Sequence, residues 1–172
     1  MYHFIINPNA GSGRGWKVWR AIAGYMDRHN IEYEAVLTNG TGEAREASRE
    51  LTKEAGKPCF LIVVGGDGTM NEVLDGVSFH GPLNLGYIPA GTGNDLWRSL
   101  HMTANPVRCL KKQLYPRHFS VIDYGVLSYG KGEPFHRRFL VSAGIGFDAA
   151  VCQAARDSRL RSRLGHMGFR RL

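Results

Sequence analysis

Three times before residue 100, a short apolar run stops at a cluster of glycines and small polar residues, and a helical pattern takes over. The middle instance is the richest. Phe60-Leu61-Ile62-Val63-Val64 runs into Gly65-Gly66-Asp67-Gly68-Thr69 and then Met70-Asn71-Glu72-Val73-Leu74. So short and branched a run reads as a strand buried on both faces. The glycines open backbone conformations closed to other residues and let amide N–H groups approach phosphate oxygens. Asp67 repels a bare phosphate, so it requires a divalent cation, a proton or a hydroxyl partner. Thr69 is placed to cap a helix beginning at Met70, whose positive dipole end would face the ligand. The competing reading of such a loop is a plain tight turn.

The first instance is Tyr2 to Ile6, ending in Asn7-Pro8-Asn9-Ala10-Gly11-Ser12-Gly13. The following helix puts Trp16, Trp19, Ile22, Ala23 and Met26 on one face. Ile31 to Leu37 alternates as a second strand, and after Thr38-Asn39-Gly40 a helix turns Ala44, Ala47, Leu51 and Ala55 inward. A helix from Met70 to Val77 leads to a fourth strand, Leu85 to Ile88, which breaks at Pro89 into Ala90-Gly91-Thr92-Gly93-Asn94-Asp95. A helix starting near Leu96 comes next. This alternation predicts a three-layer α/β fold, an open parallel sheet with helices on both faces. Ligands bind such sheets outside the carboxyl ends of the strands, where all three loops would converge. None of the loops matches G-x-x-x-x-G-K-[ST], and Gly65-Gly66-Asp67-Gly68 does not match G-x-G-x-x-G. A nucleotide would have to be held by another arrangement.

The 172 residues carry 22 Lys+Arg against 15 Asp+Glu, a formal net charge of +7, which favours anionic partners such as nucleotide phosphates, an acidic membrane surface or nucleic acid. Cys59, Cys109 and Cys152 are scattered and lack disulfide or zinc-ligand spacing, which fits a reducing cytoplasm. Tyr2 to Ile6 is too short for the apolar core of a signal peptide, and no apolar run reaches membrane-spanning length. Any lipid contact is therefore expected to be peripheral.

Beyond Asn105-Pro106 a helical stretch passes through Leu110 and Leu114, and then the pattern changes. Phe119 to Leu127 and Phe139 to Gly144 read as two strands joined by a polar Gly/Pro loop, an antiparallel element with no helix between. A helix from Phe147 to about Leu164 carries Arg156, Arg159, Arg161 and Arg163. The expected organisation is an α/β domain over 1–117 and the incomplete start of a β-rich second domain over 118–172.

The order Asn7-Pro8-x-x-Gly11, Gly65-Gly66-Asp67-Gly68-Thr69-x-Asn71-Glu72-Val73 and Ile88-Pro89-x-Gly91-Thr92-Gly93-Asn94-Asp95 resembles the catalytic domain of the diacylglycerol kinase family. That family includes bacterial diacylglycerol kinases, related lipid kinases, and sphingoid-base and ceramide kinases. Its Gly-Gly-Asp-Gly element is shared more distantly with NAD kinases and 6-phosphofructokinases, and the continuations favour the lipid-kinase branch. Ile122-Asp123-Tyr124-Gly125 and Gly144-Ile145-Gly146-Phe147-Asp148 are similar to the opening strands of the family's β-rich domain.

The resemblance implies transfer of the ATP γ-phosphate to a lipid hydroxyl such as that of diacylglycerol at a membrane surface, with no nucleic-acid partner and a cytoplasmic or inner-membrane-surface location. It places Asn9, Ala10, Gly11, Ser12 and Gly13 near the ATP phosphates and Thr38 along the nucleotide pocket. Gly66, Asp67, Gly68, Thr69, Met70, Asn71 and Glu72 form the main phosphate loop, and Thr92 adds a hydroxyl. Asp67, the implied catalytic residue, would hold Mg2+ with Asp95 and Asp123, directly or through water. Plainer roles stand beside these: Asn7-Pro8 ends a strand, Thr38 caps a helix, Asp95 complements a helix dipole and Asp123 forms a local ion pair, although an unpaired carboxylate buried inside an apolar strand such as Phe119 to Leu127 is costly. Family members usually continue for over a hundred further residues. Against that pattern the sequence reads as truncated at its C-terminal end; alternatively the remaining portion is supplied in trans, by a homodimer or another chain, or the chain binds nucleotide without efficient transfer.

Overall fold

The computed structural model describes residues 1–54, 56 and 58–157. Four parallel strands form the main sheet: β1 (Tyr2–Ile6), β2 (Tyr33–Leu37), β3 (Cys59–Gly65) and β4 (Leu83–Pro89), in the order β2-β1-β3-β4. The helices are α1 (Ala10–Arg28), α2 (Glu43–Leu51), α3 (Asp67–Gly76), α4 (Asp95–Ser99) and α5 (Pro106–Leu114). A hairpin of β5 (Gly125–Tyr129) and β6 (Phe135–Phe139) follows. These elements lie in one compact unit, Met1–Val141; a second unit, Ser142–Leu172, holds α6 (Phe147–Asp157).

The strands alternate between two cores, as a period of two requires. Phe4 and Ile6, Ile62 and Val64, and Ile88 face α1 and α5, where Trp19, Ile22, Met26, Leu110 and Leu114 meet them. Ile5, Leu61, Val63 and Tyr87 face the other way, onto Ala44 of α2 and Met70, Val73 and Val77 of α3. The strand order then decides where a ligand fits. From β1 the chain moves outward through α1 to β2, whereas from β3 it moves through α3 to β4 on the opposite side. The carboxyl ends of β1 and β3, paired through Ile6 and Val64, therefore border the topological switch point.

Several expected details are corrected. Trp16 does not join the inward face of α1; it is 44% exposed, and Val18 is buried instead. Asn105 caps α5 by accepting from the Arg108 N–H at 2.9 Å, with Pro106 at the first helical position. Thr69 plays no such part for α3, which begins two residues earlier at Asp67 with Gly66 as its cap. The hairpin is shifted: Phe119 to Tyr124 is not strand, and β6 ends at Phe139, where the second strand was expected to begin. Polar His136, Arg137 and Arg138 hid β6 from a reading based on apolar runs. The expected positions Ala55, Arg159, Arg161, Arg163 and Leu164 lie outside the described residues.

The two helices of the second face approach closely at Gly76, where a Cβ would lie 2.0 Å from the Arg45 carbonyl oxygen and 2.1 Å from Ser48 Oγ. Alanine at a helical glycine ordinarily gains about 1 kcal/mol in propensity. Overpacking against the α2 backbone, at about 1–3 kcal/mol, reverses that sign. Gly76→Ala is therefore expected to lower the melting temperature. Gly24→Ala on α1, where the nearest neighbour is the flexible tip of Arg28 at 3.6 Å, is expected to raise it. Thermal unfolding followed by circular dichroism checks both directions.

Candidate functional site

Three loops meet above the carboxyl ends of β1, β3 and β4 because their backbones touch where side chains would keep them apart. The Gly65 carbonyl accepts two amides from the loop after β4, those of Ala90 at 2.7 Å and Gly91 at 3.1 Å. A Cβ on Gly91 would lie 2.5 Å from Gly66 Cα, so this junction admits only glycine. The first loop is tied in from the other side: the Asn7 N–H donates to the Val64 carbonyl at 2.9 Å, and Asn7 Nδ2 donates to Thr69 Oγ1 at 3.2 Å. Farther along, Gly11, Ser12 and Gly13 are left-handed, at φ 57°, 57° and 88°, where α1 kinks. A Cβ on Gly11 would meet the Ala90 carbonyl oxygen at 2.4 Å. Ser12, without a glycine's freedom, holds this strained conformation while exposed at the surface of the loop.

Asp67 stands between the second and third loops. Its Oδ2 accepts from the Asp95 N–H at 3.0 Å and its Oδ1 from the Leu96 N–H at 3.3 Å. The carboxylate thus satisfies two of the unpaired amides that open α4, while about half of its lone pairs remain available. Asp95 lies beside it: a Cβ on Gly93 would be 3.3 Å from Asp67 Oδ2 and 4.0 Å from Asp95 Oδ2. The Asp95 side chain pairs with Arg98 at 3.0 Å. Beneath them, Asn94 is 5% exposed and left-handed; its Oδ1 accepts from the Tyr87 hydroxyl at 3.2 Å and its Nδ2 donates to the Gly91 carbonyl at 2.7 Å. Burial, then the negative charge of Asp67, pushes the Tyr87 hydroxyl far above its ordinary range, whereas Arg14 acts in the opposite sense.

The candidate residues divide by what their side chains already do. Asn9, Ser12, Gly68 and Thr92 are exposed around the mouth of the three loops, where Ala10, Gly11, Gly13 and Gly66 present backbone. Met70 is buried in the second core, so only its main chain can face a ligand. Thr38 is 4% exposed and donates its hydroxyl to the Ile6 carbonyl at 3.2 Å; α2 is capped by Gly42, so the plainer role of helix cap does not apply. Glu72 accepts from the Gly42 N–H at 3.0 Å, and Asn71 Oδ1 accepts from the Leu140 N–H at 2.9 Å. Asp123 precedes β5 and is exposed, so the burial cost that singled it out inside a strand does not arise. Among the described residues no group of three His, Cys, Asp or Glu side chains is arranged to hold a metal ion. Arg14 carried no signal in the sequence beyond its neighbourhood, and Asn94 stood out only as a member of the Gly91-Thr92-Gly93-Asn94-Asp95 element. Arg14 follows the left-handed turn as the first cation of α1, and Asn94 looks like any polar loop residue until its burial is known.

Residues 1–127 match the family described as the diacylglycerol kinase catalytic domain. The chain belongs to that family. Similar family proteins include one from Bacillus subtilis (strain 168) named "Putative lipid kinase YtlR", 34% identical over 164 residues, covering 93% of this chain and 52% of that protein. A diacylglycerol kinase of Staphylococcus carnosus (strain TM300) is 26% identical over 166 residues, covering 96% of this chain and 51% of that protein. A crystal structure of a diacylglycerol kinase from Bacillus anthracis str. Sterne matches with a TM-score of 0.65 at 26% identity, across 96% of this chain and 53% of the other. The chain thus spans about half the length of the curated family members it matches.

The Tyr87 hydroxyl sets a pH dependence with a definite sign. Its folded-state pKa is raised above the ordinary tyrosine value of about 10, so the stabilisation it contributes is complete below about pH 10 and is lost as pH rises beyond it. In an alkaline titration monitored at tyrosinate absorbance, one tyrosine is expected to stay protonated until the chain unfolds. Tyr87→Phe is expected to remove that coincidence of titration and unfolding.

Proposed function

We propose that this chain carries the ATP-binding half of a lipid kinase, which transfers the γ-phosphate to a lipid hydroxyl such as that of diacylglycerol. The observation that carries the reading is the junction of three glycine-rich loops at one sheet edge, with the Asp67 carboxylate held at its centre by the Asp95 and Leu96 amides. Exposed backbone of the first and second loops and the start of α3 would receive phosphate oxygens. Arg14, Ser12 and Thr92 would add charge and hydrogen bonds around them. Residues 1–117 would form the nucleotide half and 118–172 the beginning of the acceptor half.

Asp67 and Asp95 fit a magnesium ion held chiefly by nucleotide phosphates and water, since that ion commonly takes only one or two carboxylates. When bound, it would offset charge on the phosphates. Asp123, on the exposed approach to β5, would join them through water. In the transfer itself, the lipid hydroxyl oxygen bonds to the γ-phosphorus as the bond from that phosphorus to the bridging β–γ oxygen breaks, and ADP leaves; the hydroxyl proton passes to a base. Such a step depends mainly on positioning and electrostatics, which rigid loops supply. Its acceptor would be reached peripherally, from the cytoplasmic side of a membrane; among the described residues no helix is long and apolar enough to cross one.

A second reading, nucleotide binding with little transfer, is favoured by one specific observation: both Asp67 oxygens are already engaged by backbone amides. Labelled ATP offered with diacylglycerol in mixed micelles, and separately with NAD, distinguishes the readings. Labelled lipid is the expected product. Binding of ATP without labelled lipid would establish the second reading for this chain, and labelled NAD would overturn the lipid acceptor. Asp67→Asn keeps one oxygen for the Asp95 N–H and gives up only the longer contact to Leu96, so it is expected to retain the fold while reducing transfer by about 100-fold or more. Unchanged turnover would remove Asp67 from the mechanism.

A further inference from the structure

The helix that begins at the glycine loop is also the support for the β5–β6 hairpin. Two side chains on one face of α3, Asn71 and Asp75, are four residues apart. Asn71 Oδ1 accepts from the Leu140 N–H at 2.9 Å, and Asp75 Oδ1 accepts from the Arg138 N–H at 3.0 Å. Four helical residues advance about 6 Å, and two residues of extended chain advance about 6.7 Å, so the spacing of the acceptors matches that of the donors. The direction of those amides also agrees with the hairpin register. Arg137 and Phe139 oppose Leu127 and Gly125, whereas the intervening Arg138 turns its N–H outward from β5.

Charge reinforces the arrangement. Asp75 pairs with Arg137 at 2.5 Å and lies 3.7 Å from Arg45 Nη1, while Arg138 Nη1 donates to the Leu74 and Val77 carbonyls at 3.3 Å and 2.6 Å. These carbonyls lie at the C-terminal end of α3, where a guanidinium is favoured both by the unpaired acceptors and by the dipole.

We propose that Asn71 and Asp75 are positioning residues that replace a neighbouring edge strand for β6 and so fix the hairpin to the helix carrying the phosphate loop. Asn71 therefore acts through its Oδ1 on the chain as it leaves β6 at Leu140. The functional part of this assignment rests on the ATP-site reading above; the clamp itself does not.

Amide hydrogen exchange and ATP affinity, measured on the full 172-residue chain, test it. Asn71→Ala is expected to speed exchange at Leu140 by about tenfold or more while leaving the amide of Val63 in the main sheet unchanged. In Asp75→Ala, which lies outside the phosphate loop, ATP affinity should stay within about twofold of the unmodified chain. Asn71→Asp retains an oxygen acceptor and is expected to restore slow exchange at Leu140. Asp75→Ala should produce the corresponding acceleration at Arg138. An Asn71→Ala chain that loses ATP affinity about tenfold with Leu140 exchange unchanged would overturn the proposal and make Asn71 a nucleotide ligand. Failure of Asn71→Asp to restore protection would also overturn it. If the unmodified chain binds no ATP, the ATP-site reading fails, and the exchange measurements still decide whether the two side chains clamp β6.

Discussion

A single carbonyl oxygen, that of Gly65, organises the upper edge of the sheet. By accepting the Ala90 and Gly91 amides it ends β3 and redirects the chain leaving β4 in the same place. The contact between Gly66 and Gly91 then lets the two loops lie backbone against backbone. Everything above that junction follows from it: Asp67 comes within reach of the Asp95 and Leu96 amides, and Asn94 is buried against Tyr87. Because the loops are joined by main-chain hydrogen bonds and absent side chains, their geometry loses little entropy to rotamer ordering. Under the proposed reading, a densely charged ligand would meet a site already assembled before it arrives, which is the arrangement electrostatic catalysis requires.

The architecture was legible because its buried strands announce themselves. Phe4 to Ile6 and Leu61 to Val64 can be recognised without knowing their partners, since strands covered on both faces are continuously apolar. The three glycine loops were legible for a related reason: close backbone approach is possible for few residues, and here it was required repeatedly. The hairpin was not legible in the same way. β6 is held by Asp75 and by its own arginines, so the residues that locate it are polar and look like loop. Asp123 gives the converse lesson. An apolar neighbourhood in sequence suggested a buried carboxylate, yet Val121 beside it is fully exposed and the segment forms no strand.

Within the motif, adjacency in sequence concealed a division of labour. Gly66, Asp67 and Gly68 lie at the loop and the first turn of α3, whereas the side chains of Asn71 and Glu72, a turn farther along, bond to other parts of the fold. Glu72 reaches the Gly42 amide ahead of α2, and Asn71 reaches the chain beyond β6. One short motif thus combines loop backbone at the sheet edge with side chains that hold the surroundings in place.

The ten residues of α3 also impose a rule on length. Inserting or deleting one residue between the glycine loop and Asp75 would rotate everything beyond it by about 100°. The loop could survive such a change, but Asp75 would swing away from β6 and Gly76 would leave the groove against α2. The polar turn between β5 and β6 has no comparable obligation on both ends and can lengthen freely. Variation in chain length should therefore collect in that turn and be absent from α3, so the helix serves this fold as a spacer of fixed measure.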